Sequence, residues 1–256
     1  MFDLKGKRAL VTGASGGIGY AVASAYAQRG ASVVIADITD ATDAAAVIGA
    51  IPVHCDVSNE DSVAAAFALA VEKLGGLLDI VVLNAGVGDV GPALADTQQS
   101  LIDKVTGINY WGVVYGLKHA PASMNDGGSI ISTSSMAAFI NLPGSAIYSA
   151  SKKAVVSLTE MAALELGSRA IRVNCICPGY TNTAMGSAEE GRAICEAFTA
   201  LGRAATVEDM SGVYVFLAAE ASRYMTGQAL KVDGGWSCGP TTALLELVTG
   251  SATAPG

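Results

Sequence analysis

Two side chains on one predicted helix form a pair that could handle a proton. Tyr148 and Lys152 lie four positions apart, so a helix places them one turn apart on the same face. An ammonium beside a phenol favours the phenolate, and we therefore expect Lys152 to lower the pKa of Tyr148 from its ordinary value of about 10. A tyrosine with a lowered pKa exchanges a proton with an alcohol near neutral pH. The spacing thus predicts acid/base chemistry on a hydroxyl or carbonyl group.

Ser135 precedes Tyr148 by thirteen positions and could hold the same substrate oxygen. It closes an apolar, serine-rich run at residues 129–135 that indicates a strand. A Tyr-x-x-x-Lys pair on its own is also typical of an amphipathic helix with one surface lysine. The chemical interpretation therefore depends on what the rest of the chain places around these side chains.

A glycine-rich turn near the start of the chain suits a dinucleotide. Residues 13–19 have the pattern Gly-x-x-x-Gly-x-Gly, between an apolar run at residues 8–12 and a helical pattern at residues 20–29. With the β-branched run at residues 31–37 they form a βαβ unit. Glycines let the backbone approach a pyrophosphate closely, and the helix N-terminus offers free N–H groups. A turn of this kind can also simply join two elements.

Asp37 ends the second strand of this unit, where a carboxylate accepts hydrogen bonds from an adenosine ribose. The carboxylate would repel a 2′-phosphate, and no arginine or lysine directly follows it. Gly16 stands where a basic side chain could otherwise meet such a phosphate. The sequence therefore predicts NAD rather than NADP as the cofactor. The alternative is an aspartate that only caps the end of a strand.

Apolar runs alternate with helical patterns along the chain. The runs at residues 78–83 and 171–177 are almost wholly apolar, as in parallel strands buried on both faces. We expect a single-domain α/β fold of the Rossmann type, with a doubly wound parallel sheet of about seven strands and helices on both faces. Residues 1–237 form the predicted domain, and residues 238–256 form a C-terminal tail. In this tail, residues 244–248 could form an apolar helical turn that docks on the domain.

The composition argues against several kinds of partner. A net charge of −8 without a basic run disfavours nucleic acid and anionic membranes. No apolar stretch reaches the roughly 18 residues that a membrane span needs, and the first residues lack the apolar core of a signal peptide. The 5 cysteines and 2 histidines lack metal-ligand spacing. We expect a cytoplasmic protein with reduced cysteines and no metal.

Over about residues 4–235 the chain resembles the short-chain dehydrogenase/reductase family, because several spaced motifs match in order. The motifs are Thr12-Gly13-Ala14-Ser15-Gly16-Gly17-Ile18-Gly19, Cys55-Asp56-Val57, Asn84-Ala85-Gly86, Asn109-Tyr110-Trp111-Gly112, Ser134-Ser135, Tyr148-Ser149-Ala150-Ser151-Lys152 and Pro178-Gly179. The main departure is Leu83, which stands where the family commonly has an asparagine.

The resemblance implies a role for each catalytic candidate. Tyr148 would be the acid/base, Lys152 would lower its pKa and hold the nicotinamide ribose, and Ser135 would orient the substrate oxygen. Asn109 would keep a kink in its helix and a water that continues the proton path from Lys152. Asn109 could equally be a structural residue that interrupts the helix.

The resemblance also implies a set of cofactor contacts. The implied cofactor-binding residues are Gly13, Ser15, Gly17, Ile18, Gly19, Asp37, Ile38, Asp56, Val57, Asn84, Ala85, Gly86, Tyr148, Lys152, Pro178, Gly179, Thr181 and Thr183. Among them, Asp56 and Val57 would contact the adenine, and residues 84–86 would lie under the adenosine ribose. Asp56 and Thr183 could instead cap helices.

The expected substrate pocket is apolar. The candidate substrate residues are Ser135, Ala137, Leu142, Tyr148, Tyr180 and Met185. No arginine or lysine at residues 136–141 or 179–185 would meet a carboxylate. We therefore expect reversible hydride transfer between NAD and an uncharged, hydrophobic secondary alcohol or ketone, with cyclic, aromatic or terpenoid alcohols as candidates.

Two other functions stay open. One is reduction of a 3-oxoacyl thioester, and the other is a non-catalytic protein that senses NAD. Asp37 and the acidic balance speak against the first, and the presence of Ser135, Tyr148 and Lys152 speaks against the second. The family resemblance also implies a homotetramer, or a homodimer, joined through the Tyr148 helix and the long helix before it.

Overall fold

The computed structural model describes residues 2–88, 91–183 and 188–250. In these residues seven strands form one sheet in the order β3-β2-β1-β4-β5-β6-β7, and every neighbouring pair is parallel. The strands are β1 Arg8–Thr12, β2 Ser32–Asp37, β3 Ile51–His54, β4 Leu78–Leu83, β5 Met124–Thr133, β6 Arg172–Pro178 and β7 Ala229–Val232. The predicted fold class, a doubly wound parallel sheet in a single α/β domain, is confirmed.

Helices cover both faces of this sheet. The helices are α1 Gly17–Ala27, α2 Thr42–Ile48, α3 Glu60–Leu74, α4 Gln99–Thr106, α5 Gly112–Ser123, α6 Ala146–Leu166, α7 Ala188–Phe198, α8 Val207–Ala218 and α9 Thr242–Thr249. One apolar core lies between the sheet and α1, α2 and α8, and it contains Tyr26 and Tyr214. The other lies between the sheet and α3, α5 and α6, and it contains Phe67 and Val155. Burial on both faces explains why the strands are continuous apolar runs.

The winding of the chain reverses at β1. This strand pairs with β2 on one side, with Leu10 opposite Val34, and with β4 on the other side, with Leu10 opposite Val81. The chain therefore builds one half of the sheet outward through β2 and β3 and the other half through β4 to β7. In such sheets a crevice opens beyond the carboxyl ends of the strands at the reversal. The turns after β1 and β4 flank this point.

Three elements differ from the sequence expectation. The predicted strand at residues 129–135 begins earlier, at Met124, and ends at Thr133. The long helical region is broken by a π-helical turn, Gly107–Trp111, between α4 and α5. Helix α7 was expected only as a helix that Thr183 could cap, with no predicted range.

The chain past β7 forms helix α9, which is longer than the predicted turn at residues 244–248. Thr241 begins α9 by accepting a hydrogen bond from the Leu244 N–H at 3.1 Å. The Thr241 hydroxyl also donates to the carbonyl of Ala197, and this contact docks α9 on α7. Among the helices of the described residues, none is both long enough and apolar enough to cross a membrane.

Candidate active site

A cleft of about 790 Å³ opens beyond the carboxyl ends of the strands, at the reversal of the sheet. The described residues that line it come from the carboxyl ends of the seven strands and the segments after them, from the π-helical turn and from α6. They are Gly13, Ser15, Gly16, Gly17, Ile18, Asp37, Ile38, Cys55, Asp56, Val57, Asn84, Ala85, Gly86, Val87, Gly88, Ile108, Thr133, Ser134, Ser135, Met136, Ala137, Leu142, Ser145, Tyr148, Lys152, Pro178, Gly179, Tyr180, Thr181, Thr183 and Trp236. The cleft thus brings together most of the residues that the sequence nominates for cofactor and substrate.

The glycine turn after β1 forms one wall of the cleft. Gly13 has a positive φ of 63°, and a Cβ on it would lie 2.6 Å from the Cα of Ala85, so this position needs glycine. Gly19 is not among the residues that line the cleft, so its expected contact with the cofactor stays a prediction. A Cβ on Gly19 would collide with the Gly13 carbonyl oxygen, so this glycine allows α1 to begin close behind the turn.

Asp37 faces the glycine turn from the end of β2 and is 9% exposed. Its carboxylate accepts hydrogen bonds from the Ser15 N–H at 3.0 Å and from the Thr39 N–H and hydroxyl, each at 3.0 Å. Burial by itself raises the pKa of Asp37, but these hydrogen bonds outweigh it and the pKa is lowered. Asp37 is therefore an ionised carboxylate at the edge of the cleft, tied to the turn that it faces.

Asp56 and Asn84 line the same end of the cleft. The Asp56 carboxylate accepts from the Ser58 N–H at 2.9 Å and from the Ser58 hydroxyl at 2.7 Å. It does not cap a helix, because Asn59 caps α3 by accepting from the Ser62 N–H at 3.0 Å. The side-chain amide of Asn84 donates to the carbonyl oxygen of Gly13 at 3.0 Å and so joins the loop after β4 to the glycine turn.

Tyr148 and Lys152 lie on α6, one turn apart, and both line the cleft. The Lys152 ammonium lies 5.8 Å from the centre of the Tyr148 ring and donates to the Thr133 carbonyl at 3.0 Å. A second bond, from the Ser134 hydroxyl to the Lys152 carbonyl at 2.7 Å, also joins α6 to the end of β5. Helix α6 is thus fixed against β5 at the point from which both side chains reach the cleft.

Ser135 lies two residues past β5 and opens a short 3₁₀ helix, Met136–Ala138, by accepting from the Ala137 N–H at 3.1 Å. Its side chain lies close enough to the Tyr148 phenol to influence the pKa of that phenol. Two hydroxyl groups from different elements therefore meet at one wall of the cleft, where both could contact one substrate oxygen.

The pKa values of the tyrosine and the lysine differ from the sequence expectation. Burial raises the pKa of Tyr148 above its ordinary value of 10.0, although the nearby Ser135 side chain opposes the rise. Burial also lowers the pKa of the Lys152 ammonium from 10.5 to about 8. The expectation that Lys152 lowers the pKa of Tyr148 is wrong in this structure, because desolvation of the phenol outweighs an ammonium that donates to the Thr133 carbonyl.

Asn109 lies in the π-helical turn and is fully buried. Its amide accepts from the Val87 N–H at 2.8 Å, donates to the Val87 carbonyl at 2.9 Å and donates to the Ser151 hydroxyl at 3.3 Å. It does not line the cleft, but a Cβ on Gly86 would lie 3.2 Å from its side-chain oxygen and 3.0 Å from the Lys152 ammonium. Asn109 therefore joins α6 to the loop after β4 from behind the cleft wall.

The far end of the cleft is mostly apolar. Ala137, Leu142 and Tyr180 line it as predicted candidates for substrate contact, whereas Met185 lies outside the described residues. Trp236 also lines the cleft, and its indole stacks on Phe198 of α7 with ring centres 5.5 Å apart.

Sequence reasoning missed several lining residues, including Trp236, Ile108 and Val87. Trp236 directly follows the turn after β7, a strand whose carboxyl end meets the same crevice, and this was the signal that could have identified it. In the described part of the chain, no group of three or more His, Cys, Asp and Glu side chains is placed to hold a metal ion.

Relatives of known sequence and structure share this architecture. A family model described as enoyl-(acyl carrier protein) reductase matches residues 13–237. The borneol dehydrogenase, mitochondrial, of Lavandula x intermedia is 42% identical over 240 residues, which cover 91% of this chain and 92% of that protein. The cis-4-hydroxycyclohexanecarboxylate dehydrogenase of Sinomonas cyclohexanicum is 37% identical over 239 residues, covering 90% of this chain and 96% of that protein.

Solved structures agree with the sequence matches. A short-chain type dehydrogenase/reductase from Mycobacterium marinum is 39% identical and superimposes with a TM-score of 0.87, covering 93% of this chain and 98% of that chain. A blue fluorescent protein from a metagenomic library, in complex with NADPH, is 32% identical and has a TM-score of 0.86, covering 91% of this chain and 99% of that chain. Since both sequence and fold match over more than nine-tenths of the chain, this protein belongs to the short-chain dehydrogenase/reductase family of oxidoreductases.

Proposed function

We propose that this protein is an NAD-dependent dehydrogenase that acts reversibly on an uncharged, hydrophobic secondary alcohol or ketone, with Tyr148 as the acid/base. The observation that carries the proposal is that Ser135, Tyr148 and the buried Lys152 line one cleft, with the Lys152 ammonium 5.8 Å from the centre of the Tyr148 ring. Two hydroxyls that can share one substrate oxygen, next to an ionisable amine, are suited to exchanging a proton with an alcohol.

The residues of the cleft fit a nicotinamide dinucleotide. Gly13 and Gly86 line the cleft, and a Cβ on either would come within 3.0 Å of protein atoms, so the packing of the cleft wall requires glycine at both positions. The turn before α1 offers backbone N–H groups at a helix N-terminus, the feature that binds pyrophosphate in such folds. When bound, the dinucleotide would supply the hydride acceptor or donor. The dinucleotide would be held by Tyr148 and Lys152, by residues 84–86 and by the loop with Pro178, Gly179, Thr181 and Thr183.

Asp37 supports NAD over NADP. It is an ionised, buried carboxylate, and the only cationic side chain among the described lining residues is Lys152, on α6 beside Tyr148. A ribose with two free hydroxyls can donate hydrogen bonds to Asp37, whereas a 2′-phosphate would meet its negative charge. Ile38 and Val57 add apolar contact for an adenine on either side of this carboxylate.

The chain's own groups account for the movement of the proton. In alcohol oxidation the deprotonated Tyr148 accepts the hydroxyl proton, and in ketone reduction the phenol donates a proton to the carbonyl oxygen. The Ser135 hydroxyl orients the same oxygen. Lys152 has a pKa of about 8, so it can gain and lose a proton near neutral pH. It would pass protons toward the part of the cleft wall behind which Asn109 lies.

The substrate end of the cleft supports an uncharged, apolar substrate. It is lined by Met136, Ala137, Leu142, Tyr180 and Trp236, and none of them carries a positive charge that could form an ion pair with a carboxylate. The name of the borneol dehydrogenase relative agrees with a bulky neutral alcohol, whereas the name of the Sinomonas relative points to a hydroxy acid. The charge of the substrate is therefore the property that an assay must decide.

The assay tests oxidation of borneol, cyclohexanol and 4-hydroxycyclohexanecarboxylate with NAD and with NADP, and reduction of a 3-oxobutanoyl thioester with NADH and with NADPH. We expect NAD-dependent oxidation of the neutral alcohols, with kcat/KM at least about tenfold above that for the acid, which is equivalent to about 1.4 kcal/mol. Preference for the acid or the thioester would refute the proposed substrate class. Dinucleotide binding without turnover of any substrate would favour the sensing function instead.

The assembly and location of the protein are part of the same proposal. Three large apolar side chains are exposed on the π-helical turn and α6: Trp111 on the turn, and Met161 and Leu164 on the helix. Leu164 is 78% exposed. Burial of these side chains against a second copy supports a homotetramer or homodimer through α6 and the long α4–α5 helix, which analytical ultracentrifugation would test. We expect the protein in the cytoplasm, and fractionation would test this against the mitochondrial location in the name of the borneol dehydrogenase relative.

A further inference from the structure

A series of buried and partly buried hydrogen bonds runs along the carboxyl edge of the sheet, from α8 to the glycine turn. Tyr214 on α8 is fully buried, and its hydroxyl lies 2.7 Å from the hydroxyl of Thr133 at the end of β5. The Thr133 hydroxyl donates to the side-chain oxygen of Asn84 at 3.1 Å. The side-chain nitrogen of Asn84 donates to the carbonyls of Thr12 at 3.2 Å and Gly13 at 3.0 Å.

The direction of every bond in this series follows from its last members. Carbonyl oxygens only accept, so the amide nitrogen of Asn84 must face Thr12 and Gly13, and its oxygen must face Thr133. The Thr133 hydroxyl therefore donates its single proton to the side-chain oxygen of Asn84. Tyr214 must therefore donate to Thr133. Burial raises the pKa of Tyr214, so its phenol keeps the proton that it donates.

Tyr214 itself does not line the cleft, but Thr133 and Asn84, the next two residues in this series of hydrogen bonds, both do. Asn84 fixes the carbonyl of Gly13 in the dinucleotide turn, and the carbonyl of Thr133 holds the Lys152 ammonium at 3.0 Å. We propose that Tyr214 is a positioning residue for the dinucleotide: by donating to Thr133 it holds Asn84 and the glycine turn in the geometry that binds the cofactor. The inference rests on the proposed function only in requiring that a nicotinamide dinucleotide binds in this cleft.

The size of the effect follows from the loss of one bond. Without the Tyr214 donor the Thr133 hydroxyl can turn away from Asn84, and the turn then occupies its binding geometry for a smaller fraction of the time. Apparent affinity falls in proportion to that fraction. One neutral buried hydrogen bond is equivalent to about fivefold in such an equilibrium. We therefore expect Tyr214→Phe to raise the Kd of the dinucleotide about fivefold.

Tyr26 provides a matched control on the same face of the sheet. It is also a fully buried tyrosine, and its hydroxyl donates to the backbone carbonyl of Tyr214 at 3.1 Å. Tyr26→Phe removes one buried phenol hydrogen bond from the same core but leaves the series from Tyr214 to the turn complete. Both variants should lose similar stability to urea, and only Tyr214→Phe should lose dinucleotide affinity.

The experiment measures Kd by isothermal titration calorimetry for the full-length wild type and both variants. It uses whichever of NAD and NADP binds the wild type more tightly, so a wrong cofactor preference in the proposed function leaves the test intact. The expected result is a Kd raised about fivefold in Tyr214→Phe and less than about twofold in Tyr26→Phe. Equal Kd values in the two variants would overturn the inference.

Thr133 gives a second test that does not require the Tyr214 variant to fold. Thr133→Val removes the hydroxyl that links Tyr214 to Asn84 and should raise the Kd at least as much as Tyr214→Phe. Thr133→Ser keeps the hydroxyl and should retain the wild-type Kd within about twofold. If Thr133→Val bound the dinucleotide as tightly as Thr133→Ser, the hydroxyl would have no positioning role and the inference would be overturned.

Discussion

Replacing Lys152 by methionine should separate the stability of the fold from its proposed chemistry. Methionine keeps an unbranched apolar side chain of similar length and removes only the ammonium. Lys152 is 4% exposed, and burial lowers the pKa of its ammonium from 10.5 to about 8. We expect Lys152→Met to lose turnover and to gain stability at neutral pH.

The magnitude follows from the pKa and from one hydrogen bond. The change from 10.5 to about 8 disfavours the buried ammonium by about 3 kcal/mol at neutral pH. The ammonium donates to the Thr133 carbonyl at 3.0 Å. A hydrogen bond from a charged group offsets about 1.5–3 kcal/mol of that cost. The net gain in the free energy of unfolding is therefore on the order of 1 kcal/mol.

The dependence of stability on pH is the sharper test, because the expected change with pH does not depend on the energy of this hydrogen bond. The folded pKa of Lys152 is lower than the unfolded value, so between pH 8 and 10.5 the unfolded chain binds more protons than the folded chain. The contribution of Lys152 to wild-type stability is therefore lowest below pH 8 and rises with pH through this window. The variant lacks this rise, so the difference in stability should shift by about 2 kcal/mol in favour of the wild type between about pH 7 and pH 9.5, enough to reverse its sign.

Urea unfolding of the wild type, Lys152→Met and Lys153→Met at both pH values measures this difference. Lys153 is exposed on the same helix, and its replacement is the control for loss of a positive charge. Tyr148 and Cys177 lie near the Lys152 ammonium and are present in all three proteins. If the difference between wild type and Lys152→Met stayed constant across the two pH values, the inferred desolvation of this lysine would be refuted.

Three further predictions concern the walls of the cleft. Asp37→Asn should weaken NAD binding about 10- to 100-fold and NADP binding less, because it removes a charged acceptor worth about 1.5–3 kcal/mol; calorimetric titration with both cofactors checks this. Asn109→Leu should lower the free energy of unfolding by about 2–4 kcal/mol, because it leaves the N–H and carbonyl of Val87 unpaired, and urea unfolding measures this cost. Gly191→Ala should raise the KM for the alcohol severalfold and change the Kd of NAD less than about twofold. A Cβ on Gly191 would collide with the Tyr180 ring, so equal KM values in wild type and variant would contradict a role for this ring in substrate binding.

Local spacing was enough to predict the sheet and much of the cleft. The separation of Tyr148 and Lys152 fixes their common helix face, and the glycine turn followed by Asp37 fixes one wall of the cleft, because both depend on neighbours in the chain. The same reasoning assigned Gly19 to the cofactor but did not indicate that it lies behind the turn, because spacing does not reveal which glycines a helix packs against.

Properties that depend on how deeply a side chain is buried could not be predicted from the spacing of residues in the sequence. The direction of the Tyr148 pKa shift depends on how far the phenol is buried and on the carbonyl that binds Lys152, and both arise from the packing of α6 on β5. Trp236 and Tyr214 come from parts of the chain that are distant in sequence. Only the assembled sheet brings Trp236 to the cleft and Tyr214 to Thr133.

The central claim is that the Tyr148 hydroxyl transfers the proton in the reaction, and Tyr148→Phe tests it most directly. Because positioned acid/base groups contribute roughly 10²- to 10⁴-fold to rate, we expect kcat for alcohol oxidation to fall by about a thousandfold. The Kd of the dinucleotide, measured by calorimetry on the same preparation, should stay within about twofold of the wild-type value. Wild-type turnover in this variant, with the dinucleotide bound as tightly as before, would contradict the account.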